Sequence, residues 1–112
     1  MNNLTIYPFQ PIEALLGFAA KSGKLTAGDN ATRDRLRKGN IYLIVLAGDA
    51  SQELIDYYIF QSKRKKIFLL CAGSKLDLGL AIGKSQRAVV GITDRQLAGG
   101  IIKLIKEQAG MD

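Results

Sequence analysis

Hydrophobic residues occur along the chain in two patterns, short continuous runs and helical repeats. The continuous runs are IYLIVLA at 41–47, IFLLC at 67–71 and AVVGI at 88–92. Such runs are typical of strands that are covered on both faces of a sheet. The shorter segment LTA at 25–27 is long enough for one more strand. The pattern therefore predicts about four strands.

Between these runs, apolar residues recur three or four positions apart, which is the spacing of one helix face. The first two predicted helices cover about 9–21 and about 29–38, and a third finishes in the run 63–66. A short fourth helix carries Leu76 and Leu80 and is closed by Gly83. The last predicted helix has the inward stripe Leu97, Ile101, Leu104 and Ile105. Helices that alternate with apolar strands predict an α/β fold, a three-layer α/β/α sandwich around a mixed sheet of about four strands. At 112 residues the chain suits one hydrophobic core, so 1–112 is predicted to be a single domain.

Polar residues before these segments predict where the helices begin. Asp29 and Asn30 are typical caps for the helix at 29–38, and Thr93 begins a capping-box pattern before the last helix. For the helix that starts near position 52, two interpretations remain open, a cap by Asp49 or a cap by Ser51.

Some residues inside the predicted elements indicate packing. Gly99 and Gly100 destabilise an isolated helix, by about 1 kcal/mol each relative to alanine, and so predict close contact with a neighbouring element. Cys71 ends an apolar run and is predicted to be a buried thiol in a reducing compartment. Tyr58 falls on the inner face of its helix, which favours core packing over the stacking of a nucleic-acid base.

The composition excludes most catalytic and metal chemistry. The chain has no histidine and one cysteine, so Ser–His and Cys–His nucleophiles are absent, as are the usual zinc ligand sets. Its ten carboxylates are scattered singly. We therefore expect no enzyme, no metal and no cofactor, although a lysine or tyrosine mechanism lies outside this argument.

The segment Gly83-Lys84-Ser85 matches the end of a nucleotide-binding P-loop. The complete motif requires a glycine where this chain has Leu78, and it requires a strand before the loop and a helix after it. Here a predicted helix precedes and a predicted strand follows. The favoured interpretation is that Gly83 ends a helix.

The formal net charge of +6 favours an anionic partner. No apolar run approaches the roughly 20 residues that a membrane span needs, so we expect a cytoplasmic protein without a membrane partner. The run Lys63 to Lys66 falls at a helix end, where cations complement the helix dipole, and dipole complementation with solubility is its favoured interpretation.

The most informative stretch is KLTAGDNATRDRLRKG at 24–39. Gly28 suits a tight turn from strand to helix, and several basic residues follow it within three turns. The free N–H groups of a helix start attract phosphate. This stretch therefore predicts an anion-binding helix start, with a merely solvated basic face as the alternative.

GDNATRDRLRKG, the later LGLAIG, the short basic loop after it and AVVGIT together resemble the kink-turn-binding ribosomal protein family of the L-seven-Ae type, in its small bacterial YlxQ-like branch. The similarity covers about residues 12–105. The family fold is an α/β/α sandwich, in agreement with the pattern above.

The resemblance implies an RNA site where the glycine-led helix start meets the loop after the LGxxxG helix. There the family pattern is Gly-x-Asn-Glu-x-x-Lys, and this chain keeps Gly28 and Asn30 but has Ala31 and Asp34 at the acidic and lysine positions. The missing acidic group normally accepts hydrogen bonds from a guanine edge. The second loop, Lys84-Ser85-Gln86-Arg87, has backbone-binding side chains where kink-turn binders carry apolar ones.

The resulting hypothesis is a non-catalytic protein that binds ribosomal or other structured RNA, with the ribosome as a further partner. The RNA-binding residues that it names are Lys24, Gly28, Asn30, Arg33, Arg37, Lys75, Lys84, Ser85, Gln86 and Arg87. The alternative is a protein-interaction module that keeps the fold and has lost kink-turn recognition. The oligomeric state is left open.

Overall fold

The computed structural model describes residues 4–108 and contains a five-stranded sheet in the order β1-β4-β3-β5-β2. The strands are β1 (Ile6–Tyr7), β2 (Leu25–Ala27), β3 (Leu43–Leu46), β4 (Phe68–Ala72) and β5 (Val89–Ile92). β4 pairs in parallel with β1 and β3, whereas β5 is antiparallel to both β3 and β2. All strands except β5 therefore run in the same direction, and the sheet is mixed.

Five helices cover the two faces of this sheet. They are α1 (Gln10–Lys21), α2 (Asp29–Lys38), α3 (Gln52–Lys65), α4 (Lys75–Ala81) and α5 (Arg95–Gln108). Helices α1, α4 and α5 pack on the strand face that carries Leu43, Val45 and Val90, while α2 and α3 pack on the face that carries Ile44, Leu46 and Val89. The three-layer α/β/α sandwich is therefore confirmed.

The strand count was predicted too low, because β1 was missed. β1 has only two residues, one exposed and one half-buried, and it pairs with just Cys71 and Ala72 of β4. A segment this short shows no alternation of apolar and polar positions, which is the signal that sequence reasoning uses.

Two of the three predicted helix starts are corrected. Gly28 is the N-cap of α2 and no side chain caps this helix, because Asp29 and Asn30 already lie inside it. At α5 it is Asp94, not Thr93, that accepts a hydrogen bond from the N–H of Leu97, at 2.9 Å. At α3 the open choice is resolved in favour of Ser51, whose hydroxyl accepts from the N–H of Leu54 at 3.2 Å.

The prediction of close packing at Gly99 and Gly100 is wrong. A Cβ added at either position would have no neighbour within 4 Å among the described residues. Close packing occurs instead at Gly79 in α4, where a Cβ would lie 2.6 Å from the carbonyl carbon of Ser85 and 2.9 Å from the carbonyl oxygen of Lys84. Leu76 and Leu80 are indeed on α4, but both are exposed, and Leu78 is the leucine that the core buries.

Two predictions of burial are confirmed. Cys71 is 3% exposed, and Tyr58 is completely buried on the α2–α3 side of the sheet. Between residues 4 and 108, no helix has the length and hydropathy that crossing a bilayer requires.

Candidate nucleic-acid interface

The direction of the strands brings distant residues to one edge of the sheet. β2, β3 and β4 all end at this edge, and β5 begins there. Gly28 follows β2, Lys75 starts the helix after β4, and Arg87 lies two residues before the start of β5. We define the composite surface as residues 28–30, residue 75 and residues 84–87.

The loop at 84–87 contacts the start of α2 through Arg87. A Cβ added to Gly28 would lie 3.2 Å from the Cδ of Arg87 and 3.4 Å from its Nε. Gly28 also has a φ of +93°, which other residues rarely adopt, and its N–H donates to the carbonyl of Val89 at 2.9 Å. Glycine is thus favoured here by its backbone angles, and a side chain at this position would also press on the stem of Arg87.

The same loop is anchored on α4 at both of its ends. The N–H of Lys84 donates to the carbonyl of Gly79 at 2.8 Å, and the N–H of Arg87 donates to the carbonyl of Lys75 at 3.1 Å. The absence of a side chain at Gly79 is what allows the loop backbone to lie against the helix. The loop therefore has a fixed position, and its residues at 84–86 are exposed.

The guanidinium of Arg87 holds the loop closed. Its Nη1 donates to the carbonyls of Ser85 at 3.0 Å and Gln86 at 3.1 Å, and to the hydroxyl of Ser85 at 2.8 Å. Arg87 thus links the loop to α2 with its stem and braces the loop with its head. The sequence predicts only a phosphate contact for Arg87, so the bracing role is a finding of the structure.

Two carboxylates accept hydrogen bonds from backbone N–H groups at the start of α4. The N–H of Lys75 donates to Oδ1 of Asp49 at 2.8 Å, and Ser74 and Asp77 form a capping box. Asp49 follows β3 and was considered in the sequence only as a cap for α3. No local pattern signals its real role, because it caps a helix 26 positions away.

Asn30 lies in the first turn of α2 and is exposed. Its side-chain amide has no hydrogen-bond partner in the part of the chain that the structure describes, so its donors and its acceptor are free for a ligand. Gly28 is buried directly beneath the same turn.

The carboxylate of Asp29 is the centre of a network on the other side of this turn. Its Oδ1 accepts from the Nε of Arg33 and from the hydroxyl of Tyr58, each at 2.8 Å. The hydrogen bond that Arg33 donates to Asp29 raises the pKa of Arg33, and the Cζ of Arg33 lies 3.7 Å from the centre of the Tyr57 ring. Burial, and then the bond to Asp29, raise the pKa of Tyr58 far above its ordinary value of 10.0. The side chain of Arg33 is therefore fixed by Asp29 and Tyr57 at the rim of the composite surface.

Lys24 and Arg37 are not brought to the composite surface. Lys24 precedes β2, about 13 Å along the chain from Gly28, and its Nζ lies 3.7 Å from Oδ1 of Asp94. Arg37 lies two helical turns beyond Asn30, about 10 Å along α2, and its Nη2 lies 3.4 Å from Oδ1 of Asp34. Both are separated from the loop at 84–87 by the length of an element.

No three carboxylate or cysteine side chains within residues 4–108 are grouped closely enough to hold a metal ion. The chemistry that the composite surface offers is thus hydrogen bonding and charge.

The sequence profile of the ribosomal protein L7Ae/L30e/S12e/Gadd45 family matches residues 10–99. The RNA-binding protein YlxQ of Bacillus subtilis is 30% identical over 91 residues, which cover 81% of this chain and 91% of that protein. The large ribosomal subunit protein eL8 of Picrophilus torridus is 32% identical over 75 residues, 66% of this chain and 59% of that protein.

Two solved structures resemble the fold. A protein of unknown function from Bacillus halodurans has a TM-score of 0.80 and 28% identity, over 84% of this chain and 95% of that one. The Giardia lamblia 15.5kD RNA binding protein has a TM-score of 0.75 over 92% of this chain and 88% of that one, with 20% identity. The second likeness is one of fold alone.

The matched residues include the turn at Gly28, helix α2, helix α4 and the loop that follows it. The chain therefore belongs to the ribosomal protein L7Ae/L30e/S12e/Gadd45 family, in its YlxQ-like branch.

Proposed function

We propose that this protein is a non-catalytic binder of structured RNA, ribosomal or kink-turn-like, and that the composite surface holds the RNA. The observation that carries the proposal is the contact of Arg87 with Gly28, which joins the loop at 84–87 to the start of α2. This contact brings together two turns whose contacting residues are 59 positions apart in the sequence. The name of the YlxQ relative, an RNA-binding protein, supports the same ligand class.

The residues of this surface have different roles in the proposal. Asn30 reads a base or sugar edge, because its amide is exposed and without a partner. Lys84 binds the backbone, because its ammonium group is exposed at the tip of the anchored loop. Arg33 contributes its terminal nitrogens to a phosphate while its Nε stays on Asp29.

Kink-turn recognition is the finer part of the proposal, and Ala31 and Asp34 bear on it. Ala31 is exposed on α2 and presents no acceptor to a guanine edge. Asp34 is engaged by Lys38 at 3.1 Å and by Arg37 at 3.4 Å, and the hydrogen bond from Lys38 lowers its pKa. We expect a kinked RNA to be bound through Asn30 and backbone contacts, with weaker base discrimination than a carboxylate at position 31 would give.

Electrophoretic shift assays with three RNAs test this function: a kink-turn hairpin, a straight duplex of equal length and a single strand. Asn30→Ala should weaken binding of the structured RNAs by about tenfold and leave the single strand nearly unchanged, since a lost base contact costs about 1–3 kcal/mol. Lys84→Ala should weaken all three alike. Equal effects of the two substitutions on every RNA would refute the role of Asn30.

The alternative function is a protein-interaction module on the ribosome. The observation that favours it is the carboxylate of Asp49. This carboxylate accepts a hydrogen bond from the backbone N–H of Lys75, next to the composite surface, and its negative charge repels phosphate. Binding to ribosomes in co-sedimentation without a shift of any of the three RNAs would select this alternative over the first.

A further inference from the structure

The basic run at 63–66 lies at the sheet edge opposite the composite surface. α3 ends there, and so does α2, because both helices lead into strands that begin at this edge. We define the cationic end as residues 35–38 and 63–66. Its basic side chains are Arg35, Arg37, Lys38, Lys63, Arg64, Lys65 and Lys66.

The two helix ends form one surface because they share a groove of about 280 Å³. The groove is lined by Leu36, Gly39, Asn40, Ile41, Lys65 and Ile67. Leu36 is 3% exposed and Ile41 is 5% exposed, and both belong to the core on this side of the sheet. The basic side chains are therefore carried by a fixed backbone.

The cationic end accounts for the whole net charge of the protein. Its residues include seven cations and no carboxylate, and with the adjacent Asp34 of α2 the local charge is +6, which equals the formal charge of the entire chain. The composite surface and its surroundings are close to balance. There the chain has four cations, Arg33, Lys75, Lys84 and Arg87, and three carboxylates, Asp29, Asp49 and Asp77.

Most cations of the cationic end are not neutralised. Lys63, Lys65 and Lys66 have no acidic partner among the described residues, and the Nη2 of Arg64 donates only to Oε1 of Gln61, at 3.2 Å. A helix dipole presents only about half a unit charge at its end. Seven cations at two helix ends exceed what dipole complementation uses, so that interpretation explains only part of the run.

We propose that the cationic end is a second RNA-binding surface, which contacts the phosphodiester backbone beyond the segment that the composite surface holds. This inference rests on the proposed function, because the same RNA is expected to reach both surfaces. α2 connects them: Asn30 and Lys38 are eight residues apart, or about 12 Å along the helix.

RNA fits this surface better than a lipid membrane does. A helix that lies in a membrane interface needs a stripe of large apolar side chains beside its basic residues. Two large apolar side chains are exposed near the cationic end. Phe60 is 61% exposed and lies on α3 one turn before Arg64, whereas Phe68 is 57% exposed and lies in β4 beneath the Nζ of Lys106 of α5. Only Phe60 therefore shares a helix with the basic run. One exposed ring beside a row of cations is instead suited to stacking an unpaired base.

The test compares two triple variants that remove the same charge. The first is Lys63→Gln, Arg64→Gln and Lys66→Gln, all exposed positions of the cationic end. The control is Lys21→Gln, Lys103→Gln and Lys106→Gln, which are exposed positions on α1 and α5. Binding is measured at about six salt concentrations between about 50 and 300 mM. Two kink-turn hairpins are used, one with long stems and one with trimmed stems.

On the long hairpin we expect the first triple variant to bind about 10- to 100-fold more weakly, with a salt slope that is smaller by about two to three, one per lost phosphate contact. The control should change the affinity by less than about threefold. On the trimmed hairpin the two triple variants should behave alike, because the extra backbone is missing.

Equal losses for the two triple variants on the long hairpin would overturn the proposal. So would a first triple variant that loses binding to anionic phospholipid vesicles and keeps full RNA affinity.

Asn30→Ala, measured in parallel, separates this inference from the proposed function. If Asn30→Ala weakens binding and the first triple variant does not, only the cationic end is refuted. If the reverse is found, the cationic end is supported and the reading role of Asn30 fails. Matching urea midpoints of all variants exclude unfolding as the cause.

Discussion

At the scale of residues, Asp29 shows how one side chain can serve the surface from behind. It is placed where a helix cap is expected, yet its carboxylate turns to Arg33 and Tyr58 instead of the helix N–H groups. The bond to Tyr58 joins α2 to α3 across 29 positions. The start of α2 is therefore fixed by a side-chain network, and Asn30 is presented from a rigid turn.

Tyr58→Phe should lower the free energy of unfolding by about 1.5 kcal/mol, the typical worth of a hydrogen bond to a charged group. Tyr57→Phe is the matched control, because the hydroxyl of Tyr57 has no partner in the described part of the chain, and it should cost less than about 0.5 kcal/mol. Urea unfolding measures both. Equal costs would show that the bond to Asp29 does not stabilise the fold.

The raised pKa of Tyr58 also predicts a dependence on pH. In the unfolded chain this tyrosine ionises near 10.0, whereas in the folded protein it keeps its proton to higher pH. The stability that it contributes is thus complete below about pH 10 and is lost as the pH rises beyond that value. Tyr58→Phe should lose less stability between pH 9 and ~11 than the unmodified protein does. Parallel curves would contradict this assignment.

At the scale of elements, α4 and the loop at 84–87 behave as one unit. The loop is bonded to α4 at Gly79 and at Lys75, and the missing side chain of Gly79 lets the two backbones touch. A change inside this helix is therefore a change in the composite surface.

Gly79→Ala should destabilise the protein by about 1–3 kcal/mol, because its Cβ would collide with backbone atoms of the loop that cannot rotate away. Gly99→Ala is the control. It lies in α5 with open space around it, so it should be neutral or stabilising by up to about 1 kcal/mol. Urea midpoints compare the two. Equal stabilities would mean that the loop does not rest on α4 in solution.

The elements also show what the sequence could predict and what it could not. The predicted range of α2, about 29–38, agrees with the structure, because Gly28 precedes the helix and Gly39 ends it. β1 was missed because two residues carry no pattern. The caps at Asp29 and Thr93 were misassigned. Each helix starts one residue away from the predicted cap, and the packing of Tyr58 on Asp29 is not visible in the local sequence.

For the composite surface, too, local features were predicted from the sequence and contacts between distant residues were missed. The basic residues of α2 and of the loop were identified from the sequence, and the family resemblance predicted that they meet. The bracing role of Arg87 and the carboxylate of Asp49 on α4 were missed, because both depend on which strands end at the same edge. The meeting of the two basic helix ends was likewise invisible in the sequence.

At the scale of the whole molecule, charge and hydrogen-bonding groups are separated. The composite surface has a free amide, and together with its surroundings it has nearly balanced charge, whereas the cationic end holds the excess of positive charge. We expect attraction over distance to come from the cationic end and discrimination between RNAs to come from the composite surface.

The salt dependence of RNA binding should therefore reveal where the charge acts. With about six phosphates neutralised, log affinity should fall against log salt with a slope of about −4 to −6. Asn30→Ala should leave this slope unchanged while it lowers the affinity. A flat salt response would contradict the involvement of the cationic end, and a slope altered by Asn30→Ala would contradict the separation of roles.

Cys71 is the single cysteine of the chain, it is 3% exposed, and burial raises the pKa of its thiol. Both properties slow its reaction with maleimides. Gln86→Cys would then place the only accessible thiol at the tip of the loop, so one fluorophore could be attached there without first removing a natural cysteine. The protein is in this sense ready for measuring how fast a nucleic acid arrives, by a change in dye emission.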